Sequence, residues 1–170
     1  MSGALETRRL SLSRVTQADR EFLFDLVNEP AFKRYIGDKG VRNLDDAGAY
    51  LRDSYLAHYA RHGFGLYRVS LREEDTAIGI CGLVKRDALP APDLGFAFRQ
   101  AHWANGYAYE SSRAVLQEGR DIFGLRRILA IVDVDNASST RLLEKLGFRF
   151  EAMVRMPGES TDLRQYAIVP

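Results

Sequence analysis

Alternation of hydrophobic and polar positions with a period of two predicts the strands of this chain. Such runs, alternating or apolar throughout, occupy residues 10–12, 67–71, 78–84, 94–98, 128–132, 148–156 and 163–169. The run at 128–132 is continuously apolar, as expected of a strand that is covered on both faces. Charged residues 73–75 separate the runs at 67–71 and 78–84, which predicts an antiparallel hairpin.

Recurrence of apolar residues every three to four positions predicts helices between these strands. Thr16 and Asn43 each have an aspartate three residues later, a spacing typical of a helix N-cap. Gly106 precedes a third apolar stripe, and Asn136 opens a fourth. The stripes lie within residues 22–27, 50–59, 108–122 and 142–146, and a short helical piece is predicted at 32–36.

The predicted elements follow in the order β-α-α-β-β-β-α-β-α-β-β. This order is typical of a mixed α/β (α+β) protein with helices packed over one sheet. A chain of 170 residues has the length of one domain and can bury a substantial core. No repeat, low-complexity tract or linker interrupts the pattern, so residues 1–170 are expected to form a single domain.

Composition narrows the range of partners. The 24 Lys and Arg residues nearly balance the 23 Asp and Glu residues, and a formal net charge of +1 disfavours nucleic acid as a partner. Cys81 is the only cysteine, which excludes an internal disulfide and a cysteine-rich zinc site. No apolar run forms a leader at the start or approaches the length of a membrane span. We therefore expect a cytoplasmic protein with no metal, no membrane partner and no nucleic-acid partner.

Gly106 stands between a predicted strand and a predicted helix, within HWANGYAYES at residues 102–111. A glycine at such a junction lets the backbone approach a ligand closely, and the free N–H groups of the helix start attract an anion. A glycine at this place is also ordinary turn chemistry. The residues of this stretch alone leave both interpretations open, a phosphate-binding loop or a simple turn.

Several weak motifs together carry a family resemblance. DLGFAFRQAHWANGYAYES at residues 93–111, followed by NASSTRLLEKLGF at residues 136–148, resembles the GNAT superfamily of acetyl-CoA-dependent N-acetyltransferases. LETRRLSL, IGICGL and the Trp-x-x-Gly-Tyr-Ala loop resemble one branch, the ribosomal-protein N-terminal (RimJ/RimL-type) acetyltransferases and their small-molecule-modifying relatives. The motifs keep the order and spacing of the family from Leu5 to Val169.

The resemblance implies a fold and an activity. The GNAT fold is a mixed, mostly antiparallel central sheet of about seven strands flanked by about four helices. The activity is transfer of an acetyl group from acetyl-CoA to a primary amine, by direct attack of the amine in a ternary complex. The expected acceptor is a protein N-terminus or a small molecule, and a homodimer is among the expected assemblies.

The resemblance also implies a coenzyme site. In the family, the loop before the central helix wraps the pyrophosphate, which here assigns the backbone of residues 104–108, and the preceding strand binds the pantetheine arm through its backbone. Trp103 and Asn105 stand where basic or amide residues are common in the family, so help with the phosphates is expected from Arg99 or Arg141. The implied site consists of Phe96, Ala97, Phe98, Arg99, Trp103, Ala104, Asn105, Gly106, Tyr107, Ala108, Asn136, Ser139 and Arg141. For Asn136, a helix N-cap remains an equal alternative.

The expected catalytic residues are Ser139, Asp93 and Glu110. Many relatives carry a tyrosine acid at the position of Leu143, so the resemblance transfers the role to Ser139, as a hydrogen-bond donor to the departing thiolate. Asp93 and Glu110 are the candidate bases for the acceptor ammonium, with the loop residue Glu159 as a further carboxylate. His102 is interpreted as loop packing, and Cys81 as an inert buried thiol.

Two other functions stay open at this point. A protein that kept the coenzyme cleft but lost turnover would be a coenzyme-A-binding sensor or interaction domain, and the absence of the tyrosine at Leu143 makes this conceivable. Thiol release that depends on an added amine would separate the two. A nucleotide-binding α/β protein would need a repeated glycine fingerprint after a parallel strand, and only Gly106 is present.

Overall fold

The computed structural model describes residues 4–170, which form one eight-stranded sheet with helices on both faces. The strands are β1 (Leu5–Glu6), β2 (Leu10–Arg14), β3 (Leu66–Leu71), β4 (Thr76–Val84), β5 (Asp93–Phe98), β6 (Ile128–Asp133), β7 (Arg149–Val154) and β8 (Leu163–Ile168). The α-helices are α1 (Arg20–Val27), α2 (Pro30–Tyr35), α3 (Leu44–Tyr50), α4 (Ala57–His62), α5 (Tyr107–Asp121) and α6 (Ala137–Leu146).

The strands lie in the order β1-β2-β3-β4-β5-β6-β8-β7, and only β5 and β6 run parallel. The predicted mixed, mostly antiparallel sheet is therefore confirmed, including the hairpin of β3 and β4. The additional strand β1 has two residues, too few for alternation to show, and it pairs with the start of β2.

The helix predicted to begin at Asn43 and to carry the apolar stripe of residues 50–59 has an irregular centre. A π-helical segment, Leu51–Leu56, connects α3 and α4 into a continuous helical stretch over residues 44–62. Asn43 caps its start by accepting the N–H of Asp46, as predicted. A 3-10 turn, Gln17–Asp19, precedes α1, and the predicted capping box at Thr16 forms on that turn.

Two hydrophobic clusters cover the two faces of the sheet. Helices α5 and α6 pack on one face, where Val115 and Leu143 join buried side chains of β2 to β6. Helices α1 to α4 pack on the other face, with Leu51 and Tyr55 near Ile80 of β4. The sheet thus separates two layers of helices. A gap lies between the two halves of the sheet, where β5 and β6 meet.

Strands β5 and β6 diverge almost at once. They share a single register pair, Asp93 with Leu129, next to a hydrogen bond from the N–H of Leu129 to the C=O of Pro92. Beyond this point the two strands separate towards their C-terminal ends. The parallel pair therefore opens into a wedge whose mouth faces the start of α5 and the start of α6.

Candidate active site

A cleft of about 1310 Å³ occupies the wedge between β5 and β6. One part of its lining comes from the end of β5, the loop before α5 and the starts of α5 and α6. The other part comes from α2, the helical stretch 44–62 and the loop between β7 and β8. All of the predicted coenzyme and catalytic residues line this cleft except Arg99 and Glu110.

The start of α5 forms one end of the cleft. Gly106 is its N-cap residue and has φ +80°, a left-handed conformation that glycine adopts without the steric cost of a side chain. The C=O of Gly106 accepts the first helical hydrogen bond from the N–H of Glu110. The N–H groups of residues 107–109 therefore have no partner within the helix, and such a helix start is suited to an anion.

Side chains of the preceding loop hold its backbone in shape. The indole Nε1 of Trp103 donates to the C=O of Phe98 at 2.8 Å, and the amide of Asn105 donates to the C=O groups of His102 and Trp103. Ala104 also has a positive φ, +63°, which costs a non-glycine residue about 1–2 kcal/mol. Trp103 and Asn105 thus stabilise a strained loop just before Gly106.

The backbone of β5 presents unpaired groups to the wedge. Arg99 N–H donates to Ile78 of β4, whereas Pro92 C=O accepts from Leu129 of β6, so odd residues face β4 and even residues face β6. The C=O of Leu94 and both backbone groups of Phe96 consequently face the gap where β6 has diverged. An extended ligand can add to this edge as a further strand would.

A network on the far side of α5 binds Glu110. Its carboxylate accepts hydrogen bonds from the Thr7 hydroxyl, from the Arg9 backbone N–H at 2.9 Å and from Arg9 Nε at 2.8 Å. Burial alone would raise the pKa of Glu110, but these bonds outweigh it and lower the pKa. The structure does not bring Glu110 to the cleft; its carboxylate attaches α5 to the turn between β1 and β2.

Arg9 is a residue of this region that sequence reasoning missed. Its guanidinium lies 4.5 Å from the centre of the Tyr107 ring, and its Nη2 would be 3.4 Å from a Cβ placed on Gly106. A cation therefore lies beside the start of α5. Residues 9 and 110 are 101 positions apart, so no spacing pattern could indicate the pair.

The start of α6 forms the facing wall. Oδ1 of Asn136 accepts the N–H of Ser139 at 3.2 Å, so Asn136 is an N-cap, one of the two interpretations the sequence left open. Ser139 is half-buried, and Arg141 is exposed. Leu143 is buried, yet it also lines the cleft, at the position where the resemblance expects a tyrosine.

Arg99, predicted to assist the phosphates, has a different position. Its guanidinium lies over the ring of Phe22 at 5.1 Å and reaches Asp25 at 4.0 Å. It therefore belongs to the packing between β5 and α1 and does not line the cleft. Periodicity could not show this, because the contact joins residues far apart in the chain.

Asp93 lies where β5 still pairs with β6, at the narrow end of the wedge. Its side chain is 1% exposed, and Arg86 Nε donates to its Oδ1 at 3.0 Å. Burial raises the pKa of Asp93, and the charge of Arg86 opposes this shift only in part. A buried carboxylate with a raised pKa in a cleft has the character of a general base.

The remaining wall comes from the helical stretch 44–62 and two loops. His58 Nε2 accepts the N–H of Lys85 at 3.0 Å, and its Nδ1 donates to the C=O of Phe64 at 2.8 Å, which fixes the neutral tautomer. This side chain joins α4 to the end of β4. Tyr50, Ser54, Tyr55, Lys39, Glu159 and His102 also line the cleft.

The structure also shows the surroundings of the cysteine and tests for a metal site and a membrane span. Cys81 is completely buried beside Ser112, and burial raises the pKa of its thiol to about 11. In the part of the chain that the structure describes, no three His, Cys, Asp or Glu side chains come together as a metal site. None of the helices within residues 4–170 combines the length and apolar composition that a membrane span needs.

Comparison with known sequences gives consistent matches along the chain. Residues 9–149 match the family model described as an acetyltransferase (GNAT) domain. The uncharacterized N-acetyltransferase YoaA of Bacillus subtilis is 30% identical over 171 residues, which cover 97% of this chain and 96% of that protein.

Solved structures share the fold. An acetyltransferase from Agrobacterium tumefaciens superposes with a TM-score of 0.84 at 23% identity, covering 100% of this chain and 96% of that chain. RimL, a ribosomal L7/L12 α-N-protein acetyltransferase solved with coenzyme A, has a TM-score of 0.84 at 16% identity, with 98% and 97% coverage.

Proposed function

Because the chain belongs to the GNAT acetyltransferase family, we propose that it transfers an acetyl group from acetyl-CoA to a primary amine in a ternary complex. The observation that carries this proposal is the continuity of the cleft. It runs from the anion-binding start of α5, along the unpaired edge of β5, to the buried carboxylate of Asp93.

The chain's own groups suit each part of the coenzyme. The free N–H groups of residues 107–109 would bind the diphosphate, with Arg9 beside them and Arg141 on the facing wall. The C=O of Leu94 and the backbone groups of Phe96 would hydrogen-bond the pantetheine arm. Bound in this way, acetyl-CoA supplies a thioester carbonyl that an amine can attack.

We assign the proton transfers to two residues. Asp93 removes a proton from the acceptor ammonium, directly or through one water, so that the neutral amine can attack the carbonyl carbon. The carbon–nitrogen bond forms and the carbon–sulfur bond breaks, and the hydroxyl of Ser139 donates a hydrogen bond to the departing thiolate. The attached nitrogen loses its second proton to water, and the thiolate takes up a proton from water. Asp93 returns its own proton to the solvent, so the products are the amide, the thiol and one released proton. Glu110 has no part in this scheme, because Thr7 and Arg9 hold it away from the cleft.

The acceptor class stays a proposal. A protein N-terminus is suggested by the fold shared with RimL, whose name gives a ribosomal protein as its substrate. A small-molecule amine is equally compatible with a cleft whose lining includes charged side chains. A cytoplasmic location and a homodimer also remain predictions.

Thiol release tests the proposal. Purified protein is mixed with acetyl-CoA and a panel of amines, and free coenzyme A is followed with a thiol reagent. We expect release that depends on an amine and that falls strongly in Asp93→Asn. Tight binding of acetyl-CoA without amine-dependent release from a broad panel would favour the coenzyme-A-binding sensor instead.

A further inference from the structure

Two cationic side chains lie at the end of the cleft that holds the proposed base Asp93, which we call the acceptor end. Lys39 belongs to the segment after α2, and Arg86 to the turn that follows β4, and both line the cleft. Burial lowers the pKa of Lys39, and the nearby charge of Arg86 lowers it further. Two like charges in one cleft are unfavourable unless an anion lies between them.

Arg86 is held in place by its neighbours. Its Nε donates to the buried carboxylate of Asp93, while the Nζ of Lys85 donates to the C=O groups of Arg86 and Leu89 and fixes the turn. The Arg86 side chain is 41% exposed. Its two terminal nitrogens have no hydrogen-bond partner within residues 4–170, so they are available to a ligand in the cleft.

Lys39 has fewer partners than Arg86. Its ammonium forms no ion pair with a carboxylate of the described chain. Glu159, exposed in the loop between β7 and β8, is the acidic group whose charge acts on Lys39, and it opposes the lowering of the lysine pKa. Lys39 therefore remains a charge that a ligand can satisfy.

The buried carboxylate at this end of the cleft is already paired. Asp93 is bound by Arg86, and exposed Glu159 is the other carboxylate near Lys39. A polyamine would bring further ammonium groups close to Lys39 and Arg86, where they would be repelled. The arrangement thus favours an acceptor with a negative group and disfavours one with several positive groups.

From these contacts we propose that the preferred acceptor is a small amine that also carries an oxyanion, a carboxylate or a phosphate, bound by Lys39 and the terminal nitrogens of Arg86. This inference rests on the acetyl transfer proposed above. The planar arginine fork fits either oxyanion through two parallel hydrogen bonds, and the lysine adds a point charge. The amine of the same molecule would then lie near Asp93, which Arg86 already contacts.

Matched acceptors test this proposal. Amino acids are each compared with their own amides, phosphoethanolamine is compared with ethanolamine, and spermidine represents the polyamines. We expect kcat/KM at least about tenfold higher for the member with the oxyanion, because charged hydrogen bonds are worth that much or more. Which pair shows the larger ratio distinguishes a carboxylate from a phosphate. Equal rates within every pair, or highest rates with spermidine, would overturn the proposal.

A binding measurement keeps the two proposals separable. The same pairs are titrated into protein saturated with coenzyme A and followed by calorimetry, which needs no turnover. Tighter binding of the oxyanion members supports this inference even if no amine releases thiol, in which case only the acetyl transfer fails. Binding that does not distinguish the members of any pair contradicts it.

Variants then assign the effect to Lys39. Lys39→Met should reduce the preference for acid over amide about tenfold, and Lys39→Arg should restore most of it. The matched control is Arg61→Met, because Arg61 is an exposed cation like Lys39 but does not line the cleft. An equal loss of preference in both variants would mean that the general charge of this surface, and not Lys39, selects the acceptor.

Discussion

Two neighbouring hydroxyl groups in α6 have opposite surroundings. Ser139 is half-buried and lines the cleft, whereas Oγ1 of Thr140 is buried and has no hydrogen-bond partner within residues 4–170. A buried hydroxyl that makes no hydrogen bond costs free energy, since it has lost its bonds to water. The two residues should therefore respond in different ways to loss of the hydroxyl.

Thr140→Val should stabilise the protein. The substitution keeps the shape and the β-branch and removes the unpartnered oxygen, so the free energy of unfolding should rise by about 1 kcal/mol. Urea denaturation of wild type and variant measures the change, and Thr140→Ser, which retains the hydroxyl, serves as the control. A decrease of similar size would show that the hydroxyl has a partner.

Ser139→Ala should slow turnover with little effect on the KM for acetyl-CoA. A hydrogen bond to a developing thiolate acts mainly in the transition state, so kcat should fall about tenfold. Steady-state kinetics measure both parameters, with Thr140→Val as the matched control in the same helix. If kcat stays at the wild-type value, Ser139 does not assist the leaving group.

Asp93 should determine the shape of the pH profile. Its pKa is raised by burial, so the base is lost as the pH falls through that raised value. If Asp93 takes the proton of the acceptor ammonium, log kcat/KM levels off above the pKa of Asp93. In Asp93→Asn, log kcat/KM should instead keep rising with pH up to the pKa of the acceptor amine, because only the free amine can react. Profiles of the same shape for both proteins would exclude Asp93 as the base.

At the scale of elements, α5 is attached to the sheet edge through Glu110. This carboxylate accepts bonds from Thr7 and from two nitrogens of Arg9 in the turn between β1 and β2. Arg9 in turn lies against Tyr107 and beside Gly106. The clamp therefore connects the short strand β1 to the start of the helix that we propose as the diphosphate site.

Glu110→Gln should weaken this clamp. We expect a loss of about 1–3 kcal/mol in the free energy of unfolding at neutral pH, the usual value of charged hydrogen bonds. The folded pKa lies below the ordinary 4.5, so the stabilisation is present above that value and is lost as the pH falls through the folded pKa. Urea denaturation at neutral and acidic pH should therefore show the difference between wild type and variant shrinking in acid.

Glu144→Gln is the matched control for this experiment. Glu144 is an exposed residue of α6, and its replacement removes the same charge without touching the clamp. Equal and pH-independent effects in the two variants would mean that the contacts of Glu110 contribute nothing specific.

Most elements could be predicted from local pattern, because short stretches of sequence show the hydrophobic period of two for a strand or of 3.6 for a helix. The prediction missed β1, whose two residues are held by pairing with β2, and the π-helical centre of residues 44–62. Both depend on contacts with the rest of the fold. The local hydrophobic pattern does not indicate such contacts.

The lining of the cleft was predictable where the proposed contacts come from the backbone. Gly106 and the edge of β5 lie in the cleft because strand, loop and helix follow each other along the chain. Assignments that depend on side chains were less accurate. Glu110 and Arg99 lie outside the cleft, and the position of Arg9 beside α5 was not expected. Long-range ion pairs and stacking decide where a charged side chain lies, and sequence spacing does not reveal them.

At the scale of the whole molecule, the cleft lies between two separately packed helical layers. Helices α5 and α6 belong to one hydrophobic cluster and α1 to α4 to the other. A ligand in the wedge contacts both layers, and a ligand that binds only the folded state stabilises it by mass action. Acetyl-CoA at a hundredfold excess over its Kd should therefore raise the free energy of unfolding by about 2.7 kcal/mol.

The most direct test of the central claim is calorimetric titration of acetyl-CoA into wild type, Gly106→Glu and Gly124→Glu. Both glycines are exposed and have positive φ, +80° and +64°, so both substitutions impose similar backbone strain. Only the carboxylate at position 106 would lie at the start of α5, beside Arg9, where it competes with the diphosphate. We predict that wild type and Gly124→Glu bind, and that folded Gly106→Glu binds at least about tenfold more weakly. Unchanged affinity in Gly106→Glu would show that this glycine forms only a turn and that the coenzyme does not bind at α5.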